Sequence, residues 1–249
     1  VKAEMSNSSL PIQVERDSLK SLAGKTILVT GASSGIGLET AELFYELGSN
    51  VVFVGGRKRP ATNIPLDSPR VLILQCDISS WSSQVSVFSA AIEKFSKIDI
   101  VVPNAGVAEP QGQYFNLKVD EEGRPLPLDL GVVDVDMKGT MYTVALAFHY
   151  MKGKGGSVVI VSSRAGYGGM PEMPSYSASK HGWFLPSLSP TVTTTSTCMA
   201  DILDRCDRSS ALPPRPGFRT KHRSLARSAA YHFHARRLSR RIRPRQRSI

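Results

Sequence analysis

The stretch Thr26-Ile27-Leu28-Val29-Thr30-Gly31-Ala32-Ser33-Ser34-Gly35-Ile36-Gly37 decides the fold. Its first five residues are apolar or β-branched, which suits a short buried strand. Three glycines follow within seven positions, and Ile36 to Leu47 then repeats its apolar residues at a helical period before Gly48. Strand, glycine turn and helix in that order form a cradle for a nucleotide pyrophosphate. Backbone N–H groups at the helix N-terminus meet the phosphates, and Gly31, Gly35 and Gly37 keep side chains out of the way. Ser33 and Ser34 add hydroxyl donors, and Ile36 sits where the helix begins.

Outward from this turn, Asn50–Val54, Val71–Gln75, Ile98–Val102 and Ser157–Val161 read as four further strands. Helical patterns over Trp81–Phe95 and Asp134–Lys152 separate the later ones. The alternation predicts an α/β fold, a Rossmann-like doubly wound parallel sheet of five strands. Pro60, Pro65 and Pro69 argue against a full crossover helix between the second and third strands. The segment from Ala108 to Leu130 is long, charged and rich in Pro and Gly, and it follows strand four. Loops at that edge border ligands, so it reads either as a rim of the substrate entrance or as a plain surface insertion.

At the end of strand two stands Val54-Gly55-Gly56-Arg57-Lys58-Arg59. No carboxylate is there to meet a ribose 2′-hydroxyl, whereas Arg57 and its neighbours suit a 2′-phosphate, which favours NADP over NAD. Farther along, Tyr176 and Lys180 lie four residues apart in Tyr-Ser-Ala-Ser-Lys, with Ser163 thirteen residues before the tyrosine. That spacing puts phenol and ammonium on one helix face, and a nearby cation favours a phenolate.

With these elements in order over residues 24–182, the chain resembles the short-chain dehydrogenase/reductase family. The matching elements are the glycine turn, Asp77-Ile78, Asn104-Ala105-Gly106, Ser163 and the Tyr176/Lys180 pair. The resemblance implies an NADP(H)-dependent oxidoreductase that interconverts a ketone and a secondary alcohol. It places Asp77 and Ile78 beside the adenine and Asn104, Ala105 and Gly106 along the cofactor. It gives Ser163 the substrate oxygen, Tyr176 the proton exchange, and Lys180 the nicotinamide ribose. Asp136 stands where the family usually has an asparagine, and Pro103 replaces another before Asn104. A carboxylate at 136 near Lys180 favours the ammonium but opposes phenolate formation, so activity is expected at higher pH.

The net charge of +10 is not spread evenly. Residues 181–249 hold 14 Lys+Arg against 3 Asp+Glu, leaving 17 against 18 in residues 1–180. Arginine outnumbers lysine 13 to 1 in this tail and is outnumbered 6 to 11 before it, a change in usage expected of a shifted reading frame or a retained intron. Three parts follow: an N-terminal extension (1–23), a nucleotide-binding domain carrying Ser/Tyr/Lys (24–182), and an atypical Arg-rich tail (183–249).

In the tail, Pro186 and Pro190 interrupt the catalytic helix, and Thr191 to Thr195 is too polar for a buried parallel strand. The last two strands of the family fold are therefore expected to be missing or disordered, with strand five left as an edge. Two alternatives to the enzyme stay open: an impaired nucleotide-binding remnant, and binding of nucleic acid or an anionic membrane by the tail's charge. Solvated disorder is the more economical reading of the tail, so nucleic acid is not the expected partner. The expected partner is a small carbonyl or alcohol substrate, with a homo-oligomer open.

Cys76, Cys198 and Cys206 show no metal-ligand spacing, and His232 and His234 lack a second ligand pair. No metal is expected. Without a secretory h-region or membrane span, the expected location is cytoplasmic.

Overall fold

The computed structural model describes residues 16–56, 60, 62–183 and 192–195. The strands are β1 (Thr26–Thr30), β2 (Asn50–Gly55), β3 (Val71–Gln75), β4 (Ile100–Val102), β5 (Ser157–Val161) and β6 (Val192–Thr195). They form one sheet in the order β3-β2-β1-β4-β5-β6, with every pair parallel. The helices are α1 (Gly35–Glu46), α2 (Trp81–Phe95), α3 (Thr140–Met151) and α4 (Pro174–His181). A π-helical turn, Val133–Gly139, leads directly into α3. Among the described residues no helix lies between β2 and β3, in keeping with the three prolines there.

Period-two alternation along β1 divides the core. Ile27 and Val29 pack on one face with Val51, Phe53, Leu38 and Ala41. Leu28 faces the other way, toward Val52, Val54, Phe88, Val101, Val158 and Leu146. α1 covers the first face, and α2 and α3 cover the second, giving the doubly wound arrangement. α2 starts where the Ser80 hydroxyl accepts the Ser83 N–H at 3.4 Å and stops at Ser96 in the left-handed region (φ 64°).

The elements differ from the sequence expectation in places: α1 lies one residue earlier, β2 runs on to Gly55, and the helical pattern over Asp134–Lys152 divides into the π-helical turn and α3. β4 begins at Ile100 rather than Ile98, because the preceding Asp99 turns its side chain onto β1. The expectation that Thr191 to Thr195 forms no strand is corrected: Val192–Thr195 pairs with Val158–Val161 as β6. Among the described residues β6 pairs with β5 alone, and β-branched Val and Thr suit its extended backbone.

Asp99 fastens the starting ends of the strands. Its Oδ2 accepts the Thr26 N–H at 2.8 Å, and Oδ1 faces Lys97 Nζ at 3.2 Å and Lys25 Nζ at 3.4 Å. Burial alone would raise its pKa, but the Thr26 N–H and the two ammonium groups overcome this and hold the carboxyl below its ordinary value. A lowered folded value means the stabilisation is present above the unfolded carboxylate value, about 3.9, and is lost as pH falls through the folded one. Asp99→Asn is expected to cost about 1–2 kcal/mol at pH 7 by urea unfolding. The difference from the wild type should shrink below about pH 4; a difference independent of pH would contradict this role.

Candidate functional site

The strand order reverses between β1 and β4, and ligands of open parallel sheets sit at such a switch point, beyond the strand C-termini. Both conspicuous motifs end up there. The Thr30 hydroxyl accepts the Asn104 and Ala105 N–H groups, each at 3.0 Å, and the Asn104 side-chain amide donates to Thr30 O at 3.0 Å. Asn104 thus bolts the end of β4 to the start of the glycine turn.

Nothing larger than hydrogen fits at two of the glycines. A Cβ at Gly31 would lie 2.8 Å from Ala105 Cα, and Gly31 also has φ +70°. One at Gly37 would overlap Gly31 O and the Asn104 amide. Gly35, at φ +57°, opens onto free space. Ser34 is the N-cap of α1 but makes no side-chain cap bond, so the first N–H groups of the helix stay available to an anion. Ile36 lies in the first turn of α1 and is half-buried.

A cleft of about 550 Å³ runs from this turn along the whole of β3, lined by Ala32, Ser33, Gly55 and Gly56 at one end and by Val71 and Lys94 at the other. A Cβ at Gly55 would lie 2.9 Å from the Ser33 Cβ, so glycine lets β2 close on the turn. Open space over Gly35 and no side chain at Gly31 or Gly37 fit the pyrophosphate of a dinucleotide. Arg57, with Lys58 and Arg59, lies outside the described residues.

Asp77 and Ile78 follow β3. Asp77 Oδ1 accepts the N–H and hydroxyl of Ser79, at 2.9 and 2.7 Å. Ile78 is buried, and its carbonyl accepts the Gln84 amide, which also donates to Gly139 O at 2.8 Å. Gln84 therefore ties the β3–α2 loop to the π-helical turn, a role with no local signal in the sequence.

Tyr176 and Lys180 occupy successive turns of α4, with Lys180 Nζ 5.5 Å from the centre of the Tyr176 ring. Lys180 is buried, and its ammonium pairs with Asp136 Oδ2 at 3.0 Å. Asp136 is fully buried; its Oδ1 accepts the Val107 N–H at 2.7 Å, while Oδ2 has the ammonium as its counter-charge and no well-formed hydrogen bond. Burial pushes the Asp136 carboxyl above its ordinary value, partly offset by the Lys180 charge and the Val107 N–H. Gly106 lies against the pair, since a Cβ there would sit 3.0 Å from Asp136 Oδ2 and 3.2 Å from Lys180 Nζ.

Trp183 also bears on this pair, although sequence reasoning passed over it. Its indole N–H donates to the Asp136 carbonyl at 3.0 Å, and its ring is buried in the core. It lies three residues past Lys180, just beyond the end of α4, and that closeness in sequence is the signal that could have found it.

Ser163 caps a 3-10 turn, Arg164–Gly166, and its Oγ accepts the Ala165 N–H at 3.2 Å. That turn packs closely on α4: Ser162 Oγ donates to Lys180 O at 3.0 Å, and a Cβ at Gly166 would lie 2.8 Å from the same carbonyl. So β5 delivers Ser163 beside the helix that carries Tyr176 and Lys180.

Over the first turn of α4 lies part of the 108–130 segment. The Tyr176 N–H donates to Glu109 Oε1 at 3.0 Å, and the Tyr114 and Ser175 hydroxyls share a hydrogen bond of 2.6 Å. Val107, Tyr114, Tyr167 and Met170 are each between 41% and 59% exposed. Hydrogen bonds or short chain connections link each of them to Asp136, Ser175, Ser163 or Ser177. Among the described residues no metal-binding cluster forms and no helix is long and apolar enough to cross a membrane.

The family model for short chain dehydrogenase matches residues 25–186. A short-chain dehydrogenase/reductase of Acremonium egyptiacum, ascJ, is 37% identical over 176 residues, covering 69% of this chain and 58% of that protein. Another, prx4 of Penicillium roqueforti, is 36% identical over 173 residues, covering 69% and 50%. The chain thus spans little more than half the length of these curated relatives. A solved structure of a 3-ketoacyl-(acyl-carrier-protein) reductase from Brucella melitensis, complexed with NADH, is 29% identical and covers 66% of each chain, with a TM-score of 0.55. Sheet order, glycine turn and family match agree, and the chain belongs to the short-chain dehydrogenase family.

Proposed function

We propose that this chain is an NADP(H)-dependent oxidoreductase that interconverts a ketone and a secondary alcohol. The observation that carries the reading is the buried Lys180 ammonium, held at 3.0 Å by Asp136 and one helical turn from Tyr176, beside the strand end bearing Ser163. The Brucella relative in complex with NADH supports a nicotinamide dinucleotide as cofactor. The glycine turn would hold the pyrophosphate, and Arg57 to Arg59 would meet a 2′-phosphate, since Val54 to Arg59 contains no carboxylate.

When bound, the reduced nicotinamide supplies the hydride. The chain's own groups handle the charge that develops on the carbonyl oxygen. Ser163 donates a hydrogen bond to it, Tyr176 passes it a proton, and the Lys180 ammonium favours the phenolate left behind. Asp136 holds that ammonium in place and opposes part of its field at the phenol. The half-exposed apolar and aromatic groups near the helix, Val107, Tyr114, Tyr167 and Met170, favour a ketone on a largely hydrocarbon body over a sugar.

A second reading, a nucleotide-binding chain with impaired turnover, has one observation in its favour: the family match stops at residue 186 while the chain continues to 249. Catalytic groups that lack their usual supports lose rate steeply.

NADPH fluorescence titration should show binding at least about tenfold tighter than NADH, as a desolvated 2′-phosphate contact would give; equal affinities would remove the role of the basic turn. Against a panel of cyclic and aromatic ketones, Tyr176→Phe should lower kcat about a hundredfold or more with NADPH affinity kept. NADPH binding without turnover by the wild type would establish the second reading. Asp136→Asn removes the counter-charge from Lys180, so the pH–rate profile for alcohol oxidation should move to lower pH; an unmoved profile would mean that the carboxylate does not act on the phenol.

A further inference from the structure

We infer that Glu109 is a positioning residue for Tyr176: its carboxylate, reaching from the 108–130 segment, caps the short helix that carries the phenol. The inference deepens the proposed function and takes the role of Tyr176 from it. α4 has only eight residues, and its N-cap, Met173, offers no side-chain acceptor. Pro174 at the first position has no N–H to satisfy, and the Ser177 N–H already finds Met173 O at 3.0 Å. The Tyr176 N–H, one of the orphan donors of a helix start, is taken by Glu109 Oε1 at 3.0 Å, from 67 residues away in the chain. A carboxylate at that end also complements the helix dipole.

Glu109 is itself held rigidly. It is 4% exposed, and its second oxygen accepts the Gln113 amide at 2.9 Å. Gln113 in turn clasps Asp129 both ways, donating to its carbonyl at 3.1 Å and accepting its N–H at 3.0 Å. This joins the two ends of the segment. Two more bonds run from it to the start of the helix, Tyr114 to Ser175 at 2.6 Å and Gly112 N–H to Glu172 O at 3.2 Å. The 108–130 segment is thus a strap across the first turn of α4, and Glu109 is the strand of it that touches Tyr176 directly. A shift of about 1 Å at a reacting group can cost about a hundredfold in rate, so a loosened first turn should be felt at the phenol.

The test compares Glu109→Ala with Glu109→Gln in the full chain, by amide hydrogen exchange over residues 174–183 and by turnover. Alanine should speed exchange in the first turn of α4 about tenfold or more and lower kcat by on the order of ten- to a hundredfold, with NADPH affinity unchanged. Glutamine keeps an acceptor for the Tyr176 N–H and should stay within about threefold of wild type in both. Wild-type exchange in the alanine variant, or equal losses in both variants, would overturn the inference. If the alanine variant does not fold, Gln113→Ala takes its place, and unchanged α4 exchange there would overturn it as well. Should no substrate turn over, the proposed function fails, and hydrogen exchange still decides the role of Glu109.

Discussion

Two opposite charges held almost without water, Lys180 Nζ and Asp136 Oδ2 at 3.0 Å, set the geometry on which this site depends. Taking both ions out of solvent is costly, and their attraction repays the cost only if the surroundings fix them well. Here they are fixed from several sides. Val107 donates to the carboxylate, Gly106 brings its backbone against both groups, and Trp183 binds the carbonyl of Asp136. Gly182 has no side chain to hold α4 away, since a Cβ there would lie 3.1 Å from Met137 Cε. Helix α4 and the π-helical turn are thereby locked to each other around one ion pair. The lysine cannot swing away without leaving a buried carboxylate unpaired.

The same economy appears at the other half of the site. Parallel strands bring their C-terminal ends to one edge, and the reversal of order between β1 and β4 opens a crevice there. Thr30 then joins the two ends with a single hydroxyl that serves two backbone N–H groups. Glycine at 31 and 37 permits the approach of β4's terminus that makes this possible. Scaffold and cofactor cradle are in this respect one construction, because the contacts that shape the turn also register the sheet.

Much of this was legible from residues alone. β1, β3, β5 and α2 fall where apolar alternation and helical period put them, because buried strands and amphipathic helices write their burial into local spacing. The nearness of Asp136 to Lys180 was also expected from the motif that each occupies. What could not be read were contacts between distant, locally unremarkable groups. Glu109 looks like one more charge in a loop, and its partner lies 67 positions on. Gln84 looks like a surface residue of α2, yet it is buried and spans three elements. β6 was missed for a different reason: polarity argues against a strand buried on both faces, whereas the pairing of Val192–Thr195 with β5 is made by backbone groups that every residue carries.

A crystal structure of the chain with NADPH would test the central claim most directly. The account predicts the pyrophosphate at the 31–37 turn, Lys180 still paired with Asp136, and the hydroxyls of Ser163 and Tyr176 converging within roughly 3 Å of one point beside the nicotinamide. A dinucleotide bound away from the glycine turn, or Ser163 and Tyr176 hydroxyls too far apart to share a substrate oxygen, would contradict it.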